Sequence, residues 1–267
     1  MAGKRRLDAE LVRRRLVPSR EAARREIEAG RVLVDGAFAD KPARMVGAGQ
    51  NVVLTGPPPR FVGRGGHKLE AALDAFGLDP SGQRALDAGS STGGFTDCLL
   101  QRGAATVIAV DVGTNQLHER LRADPRVDVR EQTDVRSIDA DTIGGPVDLV
   151  VGDLSFISVR LVLPGLVSLV VEGGSLVLLV KPQFEAGRQE ASRGRGVIVD
   201  PTIWRRVLLD VIGWAEEAGA GMAGLTPSPI TGASGNVEFV IWLRRGRPSI
   251  REGEQAVDDV VAEVAGR

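Results

Sequence analysis

The chain has 267 residues, 43% hydrophobic and 26% charged, which is enough to bury one α/β core and leave about 60 residues for a small second module. Its single cysteine, Cys98, excludes an intramolecular disulfide and a cysteine-built metal site. The two histidines, His67 and His118, are too few and too scattered for a ligand set, so no metal is expected. Net charge is only -1, yet residues 1–68 carry 15 Lys+Arg against 7 Asp+Glu, which makes this the end suited to a polyanion. No apolar stretch follows Lys4-Arg5-Arg6-Leu7-Asp8, so no signal peptide is expected, and the most apolar tract, Leu161 to Val171, is broken by Pro164-Gly165. A cytoplasmic protein that does not engage a membrane is the expectation.

In chain order, Asp8 to Leu16 predicts a helix with Leu11, Val12 and Leu16 on its inward face and Asp8 as its N-cap. Ser19 then caps a second helix with Glu21 in its first turn and Ala22, Ala23 and Ile27 apolar, ending near Gly30. Arg20 and Arg24 fall one turn apart on it. A strand and turn follow at Val32 to Gly36, then Pro42, Val46, Gly49 and a short strand, Val52 to Leu54. The pattern Arg6-Leu7-Asp8, Ser19-Arg20, Ala23, Ile27, Gly30, Val32, Val34, Gly36, Pro42, Gly49, Val52 resembles the small RNA-binding domain named after ribosomal protein S-four, over about residues 5–55. That resemblance implies RNA, with Arg5, Arg6, Arg13, Arg20, Arg24 and Arg25 as candidates for phosphate contacts and Arg64 further along. For any one arginine taken alone, a solvated helix face balanced by Glu and Asp is the competing reading. Pseudouridine synthases with this module place a catalytic aspartate in an R-L-D context beside a tyrosine; this chain has no tyrosine, so Asp8 is read as a cap.

Thr55-Gly56-Pro57-Pro58-Pro59-Arg60 reads as a semi-rigid linker, dividing the chain into residues 1–58 and 59–267, with Phe61 a packing anchor at the start of the second domain. Strands are expected at 84–88, 106–111, 127–131, 147–152, 175–181, 222–226 and 237–243 with helices between most of them, which describes a seven-stranded, doubly wound, Rossmann-like α/β sheet. Its first unit is the strand Arg84 to Ala88, the turn Asp87-Ala88-Gly89-Ser90-Ser91-Thr92-Gly93-Gly94-Phe95 and an amphipathic helix in which Cys98 acts as a small buried hydrophobe. The D-x-G-x-x-x-G-G spacing is neither the dinucleotide nor the triphosphate pattern and favours S-adenosylmethionine. The alternative is a tight turn that needs glycine and binds nothing. Asp87, Gly89, Ser90, Ser91, Thr92, Gly93, Gly94 and Phe95 are the cofactor candidates. Asp111, ending the next strand, can accept both ribose hydroxyls of a nucleoside, and Asp134 can accept from an adenine amino group or simply cap a helix.

Four separated residues carry the chemistry. Lys68 lies in Arg64-Gly65-Gly66-His67-Lys68, Asp153 in Gly152-Asp153-Leu154-Ser155-Phe156-Ile157-Ser158, Lys181 in Lys181-Pro182-Gln183-Phe184-Glu185, and Glu238 in Gly235-Asn236-Val237-Glu238. Lys181 emerges directly from the apolar run Leu176 to Val180, where a solvated charge is not expected. A neighbouring ammonium and partial desolvation both lower a lysine pKa, so Lys181 is the candidate general base. With these motifs the second domain resembles the FtsJ-type ribose 2′-O-methyltransferases, whose Lys-Asp-Lys-Glu tetrad is matched by Lys68, Asp153, Lys181 and Glu238. Including the N-terminal module, the whole chain resembles the TlyA family. The glycine turn departs from the Ala-Pro-Gly-Gly form of many FtsJ relatives. The resemblance implies S-adenosylmethionine-dependent methylation of cytidine 2′-hydroxyls in ribosomal RNA of one or both ribosomal subunits, with an influence on sensitivity to capreomycin-type antibiotics. Two further readings stand beside it: an RNA-binding assembly factor with weak or no catalysis, against which the complete tetrad argues, and a membrane-lytic hemolysin, a label some relatives carry and for which no amphipathic membrane element is found.

Overall fold

The computed structural model describes residues 4–28, 30–39, 41–56, 60–187, 190, 194, 196–232 and 234–266. The chain divides into two compact units after Arg60. The three prolines of the expected linker, 57–59, lie outside the described residues.

The first unit runs β1 (Arg5–Arg6), α1 (Leu7–Arg13), α2 (Arg20–Glu28), β2 (Val32–Val34), β3 (Ala37–Phe38), β4 (Met45–Val46) and β5 (Val52–Leu54). β2 pairs antiparallel with both β3 and β5, while β1 pairs with β4. Leu7, Leu11, Ala23, Ile27, Val32, Val34 and Val46 form its buried core, so the periodic apolar positions of both helices do face inward. Ser19 caps α2 as its sequence position implies, its Oγ accepting from Ala22 N at 3.1 Å. Asp8 is not the cap of α1. Pairing of β1 with β4 runs through Arg6, and Leu7 N donates to Arg44 O, so the helix begins one residue early with Arg6 at the cap position. Asp8 is therefore turned into the protein, fully buried.

The second unit contains α3 (Gly65–Phe76), β6 (Arg84–Ala88), α4 (Gly94–Gln101), β7 (Thr106–Val110), α5 (Glu119–Arg122), β8 (Val127–Arg130), β9 (Val147–Gly152), α6 (Leu163–Leu169), β10 (Val170–Val180), α7 (Pro182–Glu185), α8 (Pro201–Glu217), β11 (Ala220–Pro227), β12 (Phe239–Arg245) and α9 (Gly253–Ala265). Its seven-stranded sheet has the order β11-β12-β10-β9-β6-β7-β8. The five strands from β10 to β8 are parallel, and β12 runs antiparallel to both of its neighbours. Successive residues of the central strands serve opposite faces, which is why these strands read as unbroken apolar runs. Leu86, Val150 and Leu178 pack with α6, α8 and α9, whereas Ala85, Val151 and Leu179 pack with α3 and α4. Cys98 is buried in that second layer. Phe61 is buried beneath α3, its ring in edge contact with His67, and a Cβ at Gly66 would overlap it. Strand β10 begins five residues before the predicted start because a register shift between Val170 and Ser175, with Gly173 at φ +76°, lets the chain rejoin β9. Among the described residues no helix is long and apolar enough to cross a membrane.

Candidate active site

The sheet topology decides which residues meet. Strand order reverses at β6, where connections leave in opposite directions and open a crevice beyond the carboxyl ends of the parallel strands. Ala88 is in register with Gly152, and Gly152 with Leu178, so the segments after β6, β9 and β10 leave the same edge. Val180 pairs with Phe239 on antiparallel β12, which sets Lys181, one residue later, beside Glu238, one residue earlier. Lys68 arrives from the first turn of α3.

Four side chains converge there. Lys181 Nζ lies 2.6 Å from Asp153 Oδ1 and 2.8 Å from Ser155 Oγ. Lys68 Nζ lies 2.6 Å from Glu238 Oε2 and 3.4 Å from Asp153 Oδ2. The result is a chain, Lys181 to Asp153 to Lys68 to Glu238, of alternating formal charge. Lys68, Lys181 and Glu238 are buried, and Asp153 keeps 22% of its side chain exposed. Buried charges persist only when paired, and here each has its counterpart within reach.

These four line a cavity of about 600 Å³ together with Arg64, Gly89, Ser90, Ser91, Thr92, Gly94 and Phe95. The expected glycine loop and the expected tetrad thus share one cavity. Gly89 has φ +83°, and a Cβ there would lie 3.1 Å from Leu154 Cδ2 and 3.3 Å from Asp153 O, so the loop runs backbone-close to the segment bearing the acid.

Four of the cofactor candidates lie off this wall. Asp87 is fully buried and turned under the loop, where Oδ2 accepts from Thr96 N at 3.0 Å and Thr96 Oγ1 at 2.7 Å. Burial pushes its carboxyl up to about 7, with Asp153 and Asp111 adding to the rise against the Thr96 hydrogen bonds. Gly93, at φ +95°, opens α4 with its missing side chain against Leu117 and Leu121. Asp111 stands beside the loop, accepting from Ser91 N at 2.8 Å and Gly113 N at 2.7 Å. Asp134 caps a short 3-10 turn and forms an ion pair with Arg136 at 2.6 Å, which holds its carboxyl down at about 2.

In the first unit Arg6, Arg20 and Arg24 gather on Asp8, Arg13 binds Glu10, Arg25 binds Glu21, and Arg5 is exposed on β1.

Three residues of the cavity carry features that sequence reasoning did not single out. Ser155 is the hydroxyl partner of Lys181. Asn236 is buried and accepts from Ile198 N at 3.0 Å while donating to Gly196 O at 2.7 Å, which ties that segment to the turn before Glu238. Phe156 is 92% exposed at φ +64°, its ring 5.4 Å from that of Phe184. An aromatic residue just after a strand-end acid was the available signal, since such loops carry function.

Comparison with known proteins bears on the same region. The FtsJ-like methyltransferase family matches residues 61–245 and the S4 domain residues 5–52. The chain belongs to the FtsJ-like methyltransferase family. Within it, the chain is 50% identical over 245 residues to the 16S/23S rRNA (cytidine-2′-O)-methyltransferase TlyA of Mycobacterium tuberculosis, covering 91% of each. It is 37% identical to Hemolysin A of Brachyspira hyodysenteriae, over 83% of this chain and 92% of that one. A solved structure of a Streptococcus thermophilus protein superposes with a TM-score of 0.77 at 40% identity, covering 100% of this chain and 98% of that one. The FtsJ-like match contains all four converging residues and the whole glycine loop.

Proposed function

We propose that the chain transfers a methyl group from S-adenosylmethionine to the 2′-hydroxyl of cytidine in ribosomal RNA, with residues 1–58 holding the RNA and residues 59–267 performing the chemistry. One observation carries this reading: Lys68, Asp153, Lys181 and Glu238 meet in the cavity walled by the glycine loop.

The cavity fits the cofactor. A volume of about 600 Å³ suits a nucleoside-sized ligand, and the side-chain-free surface at Gly89 lets the ligand approach backbone amides. Gly89, Ser90, Ser91, Thr92, Gly94 and Phe95 would hold it, with the spare lone pairs of Asp111 beside the loop available to ribose hydroxyls. When bound, S-adenosylmethionine supplies an electrophilic methyl group.

A ribose hydroxyl is a poor nucleophile at neutral pH and needs a base within hydrogen-bond reach. Lys181, reacting as the neutral amine after giving up its own proton, would accept the hydroxyl proton at Nζ. The ammonium so formed is the state that Asp153 Oδ1 at 2.6 Å and Ser155 Oγ at 2.8 Å are placed to stabilise, and the same contacts aim Nζ along one direction. Lys68 would hold the other Asp153 oxygen and is itself anchored by Glu238. Catalysis on this scheme is positioning plus one proton transfer.

The substrate assignment follows the M. tuberculosis relative, whose name specifies cytidine in 16S and 23S rRNA, together with the basic S4 unit. Contact with ribosomal subunits implies a cytoplasmic protein. Mapping 2′-O-methylation on both rRNAs in a strain lacking the gene, complemented with wild-type or Lys181→Ala protein, tests the reading. Cytidine methylation should appear only with the wild type; methylation at another atom, or in both complemented strains, would overturn it.

A further inference from the structure

Unit 1 contains a charge cluster whose stoichiometry is unbalanced. Asp8 has no exposed side-chain surface, yet three guanidinium groups reach it from two different elements. Arg6, the end of β1, places Nε 3.1 Å from Oδ1 and Nη2 3.0 Å from Oδ2. Arg20, the first residue of α2, places Nη2 2.9 Å from Oδ2, and Arg24, one turn on, holds Nε 3.8 Å from the same oxygen. The three arginine side chains remain 42%, 54% and 54% exposed. One buried carboxylate thus offsets one of three positive charges, and guanidinium faces not engaged by it are open to solvent.

The neighbouring pair of arginines is built differently. Arg13 and Arg14 share Glu10, but Arg14 also donates to Gln50 O at 2.8 Å and to Ala48 O, so it staples α1 to the loop before β5. Arg6, Arg20 and Arg24 show no such backbone bond among the described residues. Three like charges this close repel, and long arginine side chains sample many rotamers; a common counter-ion at their centre opposes both effects. The Arg6 hydrogen bonds, above all, hold the Asp8 carboxyl down at about 2, so the counter-charge persists at any physiological pH.

We propose that Asp8 is a positioning residue that fixes Arg6, Arg20 and Arg24 as one clamp for RNA phosphates. The inference rests on the RNA-substrate reading above. It makes a prediction opposite in sign to bulk electrostatics. Removing a negative charge from a basic RNA-binding surface should strengthen binding by Coulomb attraction, whereas loss of the organiser should weaken it by letting the arginines spread.

The test measures binding of full-length protein to purified ribosomal subunits at several salt concentrations, with thermal unfolding as a check on the fold. Asp8→Asn should lower affinity on the order of ten-fold and flatten the slope of log affinity against log salt by about one to two. Arg20→Lys keeps the charge and alters only an exposed side chain, but loses the planar fork; it should also lose affinity. Tighter or unchanged binding by Asp8→Asn, or full affinity of Arg20→Lys, would overturn the inference. If Asp8→Asn does not fold, Arg20→Lys alone decides. A wild-type protein that binds no ribosomal subunit would sink the RNA-substrate reading itself, a result distinct from either variant behaving like a binding wild type.

Discussion

Asp153 Oδ1 lies 2.6 Å from Lys181 Nζ, and together with Ser155 Oγ, 2.8 Å from the same nitrogen, it joins the segment after β9 to the end of β10 at the edge where the cavity opens. Because the second Asp153 oxygen faces Lys68, the acid cannot reorient toward one lysine without leaving the other. The base is therefore aimed by a group that is itself held from two sides.

Lys181→Ala should lower the rate of methyl transfer by about 10²- to 10⁴-fold while leaving S-adenosylmethionine and RNA affinity within a few fold, since it removes the proton acceptor and little binding surface. Single-turnover kinetics with saturating cofactor give the rate, and equilibrium binding gives the affinities. A wild-type rate in the variant would make Lys181 structural.

Gly232 offers a quieter route to the same machinery. A Cβ at this position would lie 2.6 Å from Glu238 Oε1, and the far end of that side chain would have to move. Its partner is Lys68, 2.6 Å away, so the displacement propagates to the ammonium that holds Asp153. Gly232→Ala should cut kcat by about ten-fold with KM for cofactor and the thermal midpoint nearly unchanged. An equal loss in a Glu238→Gln background, where the coupling is already weakened, would show that the glycine acts by another path.

Asp87 makes stability depend on pH. Its carboxyl is raised by burial from an ordinary 3.8 to about 7, so the native state keeps a proton that the unfolded chain releases above about pH 4. The stabilisation this provides is fully present below that pH and is lost as pH rises through about 7. Asp87→Asn cannot titrate, and its amide oxygen can still accept from Thr96. The difference in thermal midpoint between wild type and variant should therefore shift toward the variant from pH 5 to pH 8. A difference that stays constant across that range would mean Asp87 is ionised throughout.

The contrast between Asp87 and Asp153 also shows how far the sequence could be read. Asp87 is the penultimate residue of β6 and Asp153 directly follows β9, and both strand positions were legible, as were the glycine turn and the emergence of Lys181 from Leu176 to Val180. Side-chain direction was not. Asp87 bends back to Thr96, nine residues on, a contact that depends on the path of the intervening turn. The capping reading of Asp134 was legible beside the adenine reading, because its partner Arg136 is only two residues away. Asp8 was misread as a cap because the pairing of Arg6 with Met45, which moves the helix start, is a non-local event. Non-local pairing likewise hid the early start of β10.

Phe156 gives the prediction with the least ambiguity about folding. It is 92% exposed and adopts φ +64°, a left-handed conformation that costs a bulky residue of order 1–3 kcal/mol, and burial cannot compensate for an exposed ring. Its ring lies 5.4 Å from Phe184, whose other neighbour is Lys181 Nζ at 5.8 Å from the ring centroid, so an aromatic surface leads from solvent toward the base. Bases released from RNA stacking are held on such surfaces. Phe156→Gly should relieve the backbone conformation and raise the thermal midpoint or leave it unchanged. The same variant should lower kcat/KM for ribosomal RNA about ten- to a hundred-fold while cofactor affinity stays at the wild-type value, because a stacking contact of about 1–3 kcal/mol is removed from the RNA side alone. Phe156→Trp, which preserves the aromatic face, should recover most of the loss. If Phe156→Gly retains full activity on ribosomal subunits, the exposed ring contributes nothing to substrate and its strained conformation requires another cause.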